Sequence, residues 1–414
     1  MMSQPPATTA PRQAAVLFIL VTVLLDMLSF GIIIPVLPKL VEGFFFGNTA
    51  QAAELYGLMG TAWALMQFFC SPIQGALSDR FGRRPVVLLS NLGLGLDYIV
   101  MALAPNVAWL VAGRVISGMA SSSFSTAGAY IADVTPPEQR AAAFGKIGMV
   151  FGLGFIFGPA LGGWLGAIDP RLPFWGAAAL SLMNTCYGFF VLPESLPRDK
   201  RTPFLWARAN PVGSLLLLGS HRELLGLATV SFLGYLAHTA LPGVSVLYMS
   251  YRYGWGTAGV GLMMAGVGVS ATIVQGGLIR PITNRFGDRK TVLIGLLCGA
   301  AGFFVYGMAS EGWIFCLGIP VMAFWGLAGP ATQSIMTRRV DSAEQGRLQG
   351  AIASINGVTG LIGPILFTQT FAHSIQSDSA SSMPVEFPGA PFILASLMLL
   401  GAAVVAWRTT EVEE

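Results

Sequence analysis

Three ionisable side chains interrupt long apolar runs in the first half of this 414-residue sequence: Asp26, Asp97 and Arg114. Asp26 stands about twelve residues into a run spanning 14–38, and Asp97 about twelve into one spanning 85–104, so neither has a helix end close by. A charge at the centre of a membrane helix costs ~2.5–3.5 kcal/mol on insertion scales, and three of them in one half of a chain need an internal cavity or one another. Arg114 is about seven residues into the run 107–131, near enough to an end for snorkelling to be its bland alternative. A carboxyl buried in this way is suited to exchanging a proton for a cationic or polar substrate. Other chemistry-bearing residues are sparse. Cys70, Cys186, Cys298 and Cys316 lie singly in apolar runs without Cys-x-x-Cys spacing or a neighbouring histidine. They read as small packing residues, and neither a metal nor a cofactor is expected.

The elements that hold these residues must lie in lipid. The chain has 23 Lys or Arg and 20 Asp or Glu, so 10% is charged and 54% hydrophobic, where an ordinary soluble domain is about 25% charged. So few charges cannot cover a soluble surface of this size. A net charge of +3 is far too small for a nucleic-acid binder, and the composition excludes disorder and a disulfide scaffold. Apolar segments of membrane-spanning length fall near 14–38, 55–75, 85–104, 107–131, 141–167 and 174–192, then near 224–249, 258–282, 291–309, 312–335, 348–371 and 390–407. The first is longer than a signal h-region and is followed by no small-x-small site, so it reads as a retained helix. With both termini in the cytoplasm, 19 Lys or Arg fall inside and 3 outside (Lys39, Arg171 and Arg252), with Arg114 in a span. The positive-inside rule demands that orientation. The expected fold is an all-α membrane protein with bundles at 1–192 and 222–414, six helices each, joined by a cytoplasmic linker at 193–221.

The halves repeat. Asp79-Arg-Phe-Gly-Arg-Arg84 corresponds to Asn284-Arg-Phe-Gly-Asp-Arg289 at an offset of 205, Gly158-Pro159 to Gly363-Pro364 at 205, and Glu138-Gln139 to Glu344-Gln345 at 206. Parallel six-helix repeats with a site between them describe a secondary transporter. In the loop Gly75-Ala-Leu-Ser-Asp79-Arg-Phe-Gly-Arg83-Arg84, Gly82 permits a tight reversal. Arg80, Arg83 and Arg84 hold the loop at an anionic cytoplasmic surface. The fifth segment carries Gly152-Leu-Gly154-Phe-Ile-Phe-Gly158-Pro159-Ala-Leu-Gly162-Gly163; glycines four apart lay a smooth stripe against which another helix can pack closely.

The Asp79 loop, the spans and the half-repeat resemble the major facilitator superfamily. There the resemblance implies that this loop is a conformational latch, in which Asp79 with Arg83 forms a charged link between the halves, closed when the transporter faces outward, while Arg80 and Arg84 read as topology anchors. Asn284 at the second copy makes that latch asymmetric. The glycine string of Gly154, Gly158, Pro159, Gly162 and Gly163 is similar to the motif of drug/proton antiporters. Leu24-Leu-Asp26 with Gly31-Ile-Ile-Ile-Pro-Val-Leu-Pro38, Leu65-Met-Gln67, Leu96-Asp97-Tyr98, Gly113-Arg114 and Ile131-Ala-Asp133 resemble the tetracycline-efflux branch. Ser310-Glu-Gly-Trp313, Leu348-Gln349-Gly350 and Gly363-Pro-Ile-Leu-Phe367 continue the likeness. It implies that Asp26 and Gln67 face substrate, Asp97 couples protons and Arg114 tunes the acids. The branch carries a histidine in its eighth helix and an aspartate in its ninth, where Ala271 and Gly299 stand here. Gln275 is then a polar cavity candidate, and His238 either a substrate-facing titratable group or a hydrogen-bonded packing residue.

The leading expectation is a proton-driven exporter of a drug-like or amphiphilic molecule, tetracycline-like compounds included, acting as a monomer in a bacterial inner membrane. A metabolite, sugar or siderophore exporter or a uniporter of the same fold is the runner-up. A transport-dead sensor or scaffold is opposed by the embedded acids, which cost insertion energy and serve no packing. An enzyme is least expected, since the cytoplasmic loops hold no nucleophile triad, metal set or phosphate loop.

Overall fold

The computed structural model describes residues 9–121, 123–136, 139–204, 222–341, 344–376 and 386–410. Glu138 and most of the linker (205–221) lie outside them. Among the described residues there is no strand. The N-terminal half comprises α1 (Thr9–Ile33), α2 (Leu37–Phe44), α3 (Thr49–Phe81), α4 (Arg83–Ala102), α5 (Val107–Ala120), α6 (Ser123–Val134), α7 (Arg140–Ile168) and α8 (Leu172–Val191). The C-terminal half comprises α9 (Arg222–His238), α10 (Ala240–Tyr253), α11 (Thr257–Ile273), α12 (Ile279–Met308), α13 (Gly312–Ala323), α14 (Ala328–Arg338), α15 (Gln345–Ile375) and α16 (Ala390–Thr410).

Nine helical stretches of the described residues are long and apolar enough to cross a membrane by length and composition. One of them, Thr257–Met308 at 52 residues, is two crossings, because Gly287 at φ +74° turns the chain inside α12. The α5–α6 pair and the more polar α3 complete the twelve spans. Lipid leaves backbone groups no partner but one another, and helices satisfy that demand.

Local sequence fixes the ends. Asn48 and Asn106 cap α3 and α5 by accepting hydrogen bonds from the amides of Gln51 and Ala108, each at 3.1 Å. Gly82 adopts φ +107° at the reversal between α3 and α4, and Gly287 does the same at the equivalent repeat position. The repeated Gly of the two loops is therefore a conformational requirement.

The halves meet along two seams. In the first, α7 lies on α11: the Thr257 hydroxyl donates to Gly163 O at 3.2 Å, and Gly268 packs on Ile156. In the second, α3 lies on α15: Thr61 Oγ1 donates to Leu361 O at 2.9 Å, Gly60 faces Pro364 and Gly357 faces Phe68. Tyr56 adds a bond to Pro242 O at 3.3 Å. These contacts use Tyr56–Phe68 of α3 and Gly152–Gly166 of α7, the portions remote from the terminal face, at which α1 begins and α16 ends. Towards that terminal face Gly75, Gly145, Gly148, Gly276 and Gly277 have no neighbour within 4 Å of a Cβ position. Among the described residues the halves are clasped on the far side and open on the terminal side, where Gly145, Lys146, Gln275 and Gly276 are exposed.

Candidate substrate and proton site

The embedded charges of the N-terminal half converge. Asp26 on α1 and Asp97 on α4 are 4% and 1% exposed, the only buried acids among the described residues. Both, together with Arg114 on α5, lie within Coulombic reach of the Tyr98 phenol. Arg114 also interacts electrostatically with Asp97 and with Tyr56 on α3. Snorkelling is therefore not what Arg114 does: its guanidinium lies 5.5 Å from the ring centroid of Trp63. Trp63 in turn stacks on Phe30 of α1 at 6.2 Å. Asp97 presses against Gly113, where a Cβ would come 2.8 Å from its Oδ1. Neither Asp97 oxygen is hydrogen-bonded. Gln67 is half-buried one turn along α3 from Trp63.

Tyr56, Trp63 and Tyr98 escaped the sequence reading as site residues. Tyr56, Trp63 and Gln67 fall at spacings of seven and four, one face of a helix, and that pattern would have found the first two.

In the C-terminal half three helices depart from α geometry near one place. The chain breaks between α9 and α10 at His238–Thr239, Val274–Leu278 forms a π-helical turn, and Phe324–Leu327 a 3₁₀ turn. Such irregularities recur at functional positions. His238 lies deep in the protein yet keeps an exposed surface, as a cavity-lining side chain does. Its ring is 5.7 Å from that of Trp325. Gln275, exposed in the π turn, lies against Gly326. Trp325 also explains Gly299: a Cβ there would come 2.7 Å from the indole Cγ. Position 299 has no room for a larger side chain while the indole stays in place.

At the terminal face Arg83 joins two carboxylates, Asp79 Oδ1 at 2.5 Å and Asp133 Oδ2 on α6 at 3.1 Å. It also donates to Ser78 Oγ at 2.6 Å, and its amide donates to Glu194 at 2.9 Å. Among the described residues, the contacts of the loop in this conformation stay within the first half and the chain just after it. Arg80 lies over Phe81. Arg84 lies over Phe189 and donates to the carbonyls of Gly188 and Phe189 at the end of α8, a helix-end role. The second copy reverses polarity: Asp288, at the position of Arg83, accepts from Arg338 at 2.5 Å and Ser334 at 2.8 Å.

The glycine string divides its work. Gly154, Gly158 and Gly162 admit the backbone of α1 at Met27, Gly31 and Ile32, whereas Gly163 faces Thr257 and Gly261 of α11. The α7 helix is thus held between its own half and the other.

A family model described as Major Facilitator Superfamily matches residues 19–364 and 278–413. The chain belongs to that superfamily. Within it, this facilitator is 37% identical over 360 residues to the tetracycline resistance protein, class C, of Escherichia coli, covering 87% of this chain and 90% of that one. It is 34% identical to the class B protein of Escherichia coli, covering 86% and 88%. These relatives put it in the tetracycline-efflux-like branch. Among solved structures, nucleoside transporter NupG superposes with a TM-score of 0.74 at 13% identity, covering 96% of this chain and 99% of that one. The D-xylose-proton symporter gives 0.74 at 19%, covering 95% and 97%. Those two likenesses concern the fold.

Proposed function

We propose that this integral membrane protein exports a drug-like or amphiphilic small molecule, with tetracycline-like compounds foremost, in exchange for protons by alternating access. The observation that carries the reading is the convergence of Asp26, Asp97 and Arg114 on Tyr98, in a protein whose relatives are tetracycline resistance proteins. Buried acids with a nearby base are costly to keep in a membrane and form a proton relay. Asp97 serves proton coupling, Asp26 both coupling and substrate contact, and Arg114 sets the balance between them. Gln67 supplies a polar contact from the first half, and Gln275 and His238 from the second. Asp79 and Arg83 set the conformational balance without touching substrate. The protein works as a monomer, with both termini in the cytoplasm of a bacterial inner membrane, an orientation supported by the 19-to-3 distribution of Lys and Arg. The terminal-side opening is then the cytoplasmic one.

In this cycle substrate enters from the terminal side as a proton leaves. After the halves rock, a proton arriving at Asp26 or Asp97 from the far side weakens the hold on a cationic group and releases it. Proteoliposomes with an imposed pH gradient and a compound panel that includes tetracycline test the reading. Gradient-dependent accumulation of one of these compounds is expected; pH-independent equilibration of a sugar or metabolite would replace the reading with uniport.

A further inference from the structure

Trp63 has no part in the relay described above, yet it is tightly specified. Its ring stacks on Phe30 of α1. Its backbone lies against Gly118 of α5, where a Cβ would come 3.1 Å from Trp63 Cα. These contacts fix the indole on the side of α5 from which the Arg114 guanidinium approaches, at 5.5 Å from the ring centroid. That distance is inside the range in which a ring face attracts a cation, and the attraction strengthens where water is excluded. Asp97 meanwhile has both carboxyl oxygens buried without a hydrogen bond. No described ion pair joins it to Arg114, although the two interact through space. An ionised carboxylate left in that state is expensive; a proton on it removes most of the cost.

We infer that Trp63 is a second seat for Arg114, and that the guanidinium exchanges between the Trp63 ring and the Asp97 carboxylate as Asp97 gains and loses its proton. In the conformation open to the terminal side Asp97 carries the proton and Arg114 rests on Trp63. When the carboxyl O–H breaks and the proton passes to water on that side, the electron pair stays on Asp97. The new charge then draws Arg114 off the ring. Trp63 is a positioning residue: it raises the proton affinity of Asp97 by holding the competing cation away. The charged and titratable groups around the pair are Asp26 from α1, Tyr56 from α3 and Tyr98 from α4 itself. From α8, Leu182 covers Gly95 while Tyr187 lies further towards the terminal end, and α6 brings Tyr130 and Asp133 at that end. The inference rests on the reading of Asp97 as the coupling acid, and its test needs no substrate.

The test is infrared titration of the purified full-length protein, following the carboxylic-acid carbonyl stretch assigned to Asp97 by its loss in Asp97→Asn. Trp63→Leu frees Arg114 to pair with the carboxylate, so the midpoint should move down by about one pH unit, a tenfold loss of proton affinity. Trp63→Phe keeps a weaker ring and should fall between. It also supplies the readout if Trp63→Leu does not fold. In an Arg114→Gln background Trp63→Leu should produce no shift, which a merely structural disturbance would not reproduce. An unchanged midpoint in both Trp63 variants, or a shift that persists without Arg114, would overturn the inference. Failure of the compound panel with the titration shift intact would overturn the export reading alone.

Discussion

Where the N-terminal half buries Asp26 and Asp97, the C-terminal half buries aromatic rings instead. Tyr306 stacks on Phe315 with centroids 4.0 Å apart, Phe392 meets Tyr248 edge-on at 4.9 Å, and Phe303 abuts Trp325 at 5.5 Å. The tyrosine hydroxyls find carbonyls, Tyr248 at Tyr306 O (2.9 Å) and Tyr253 at Ala309 O (3.0 Å). Aromatic pairs of this kind add about 0.5–1.5 kcal/mol each beyond their area, and in lipid, where apolar transfer no longer drives association, such packing is what holds helices together. The N-terminal half has instead two separate apolar clusters and a close approach of α1 to α7 through glycines. On the proposed function, one duplicated architecture is divided: the first half carries the buried acids, and the second, with no buried acid among its described residues, acts mainly as a wall. Even the repeated loop follows the division, with Arg83 between two acids in the first half and Asp288 held by an arginine in the second.

The largest effect should come from removing the titratable chemistry. Asp26→Asn/Asp97→Asn is expected to abolish accumulation against a gradient while some downhill exchange persists, read as tracer uptake with and without a pH difference. Of the single variants, Asp97→Asn should lose uphill transport alone, and Asp26→Asn should also weaken binding of cationic substrates. A double variant that still concentrates substrate would move coupling to His238 and dissolve the division.

Stability sharpens the comparison next. Phe315→Ala, removing a ring only 1% exposed, should cost about 3 kcal/mol. Gly162→Val, driving a side chain into the Ile32 backbone, should cost roughly 1–3 kcal/mol. Thermal unfolding of the purified variants measures both, and Gly148→Ala, with nothing near its Cβ position, is the neutral-to-stabilising control on the same helix.

Smaller changes are expected at the loops. Asp79→Asn removes a carboxylate that lies 2.5 Å from Arg83 within one half here and that the latch would use between the halves in the outward-facing state. It should therefore slow the cycle several-fold while favouring the conformation described here, with binding affinity in that state unchanged. Spin-label distances between the halves, with transport rates, report both. Asp288→Asn should do less, because its partner Arg338 is 63% exposed and water screens the pair. Transport by Asp79→Asn at the wild-type rate would reduce the loop to a topology anchor. The smallest effects belong to the wall: His238→Ala and Gln275→Ala should each raise the apparent KM a few-fold and leave the pH profile in place. A His238→Ala profile that moved would give the second half a titratable role.

Hydropathy, charge distribution and the offset of 205 residues were sufficient to read the spans, the bundles and the embedded charges directly from the sequence, because partition between water and lipid acts on each segment separately. The glycine spacing of α7 likewise announced a close helix contact, since side chains four apart share a face whatever the neighbour. What the neighbour is only the tertiary structure decides: Gly162 meets α1 and Gly163, the next residue, meets α11. It also decides that Arg114 turns inward to Trp63, that Trp325 fills the space beside Gly299, and that the halves close on the far side. These are meetings of residues far apart in sequence, chosen by which surfaces fit once every helix is already in the membrane. No local pattern encodes that fit, because lipid solvates each helix equally well until a complementary face displaces it.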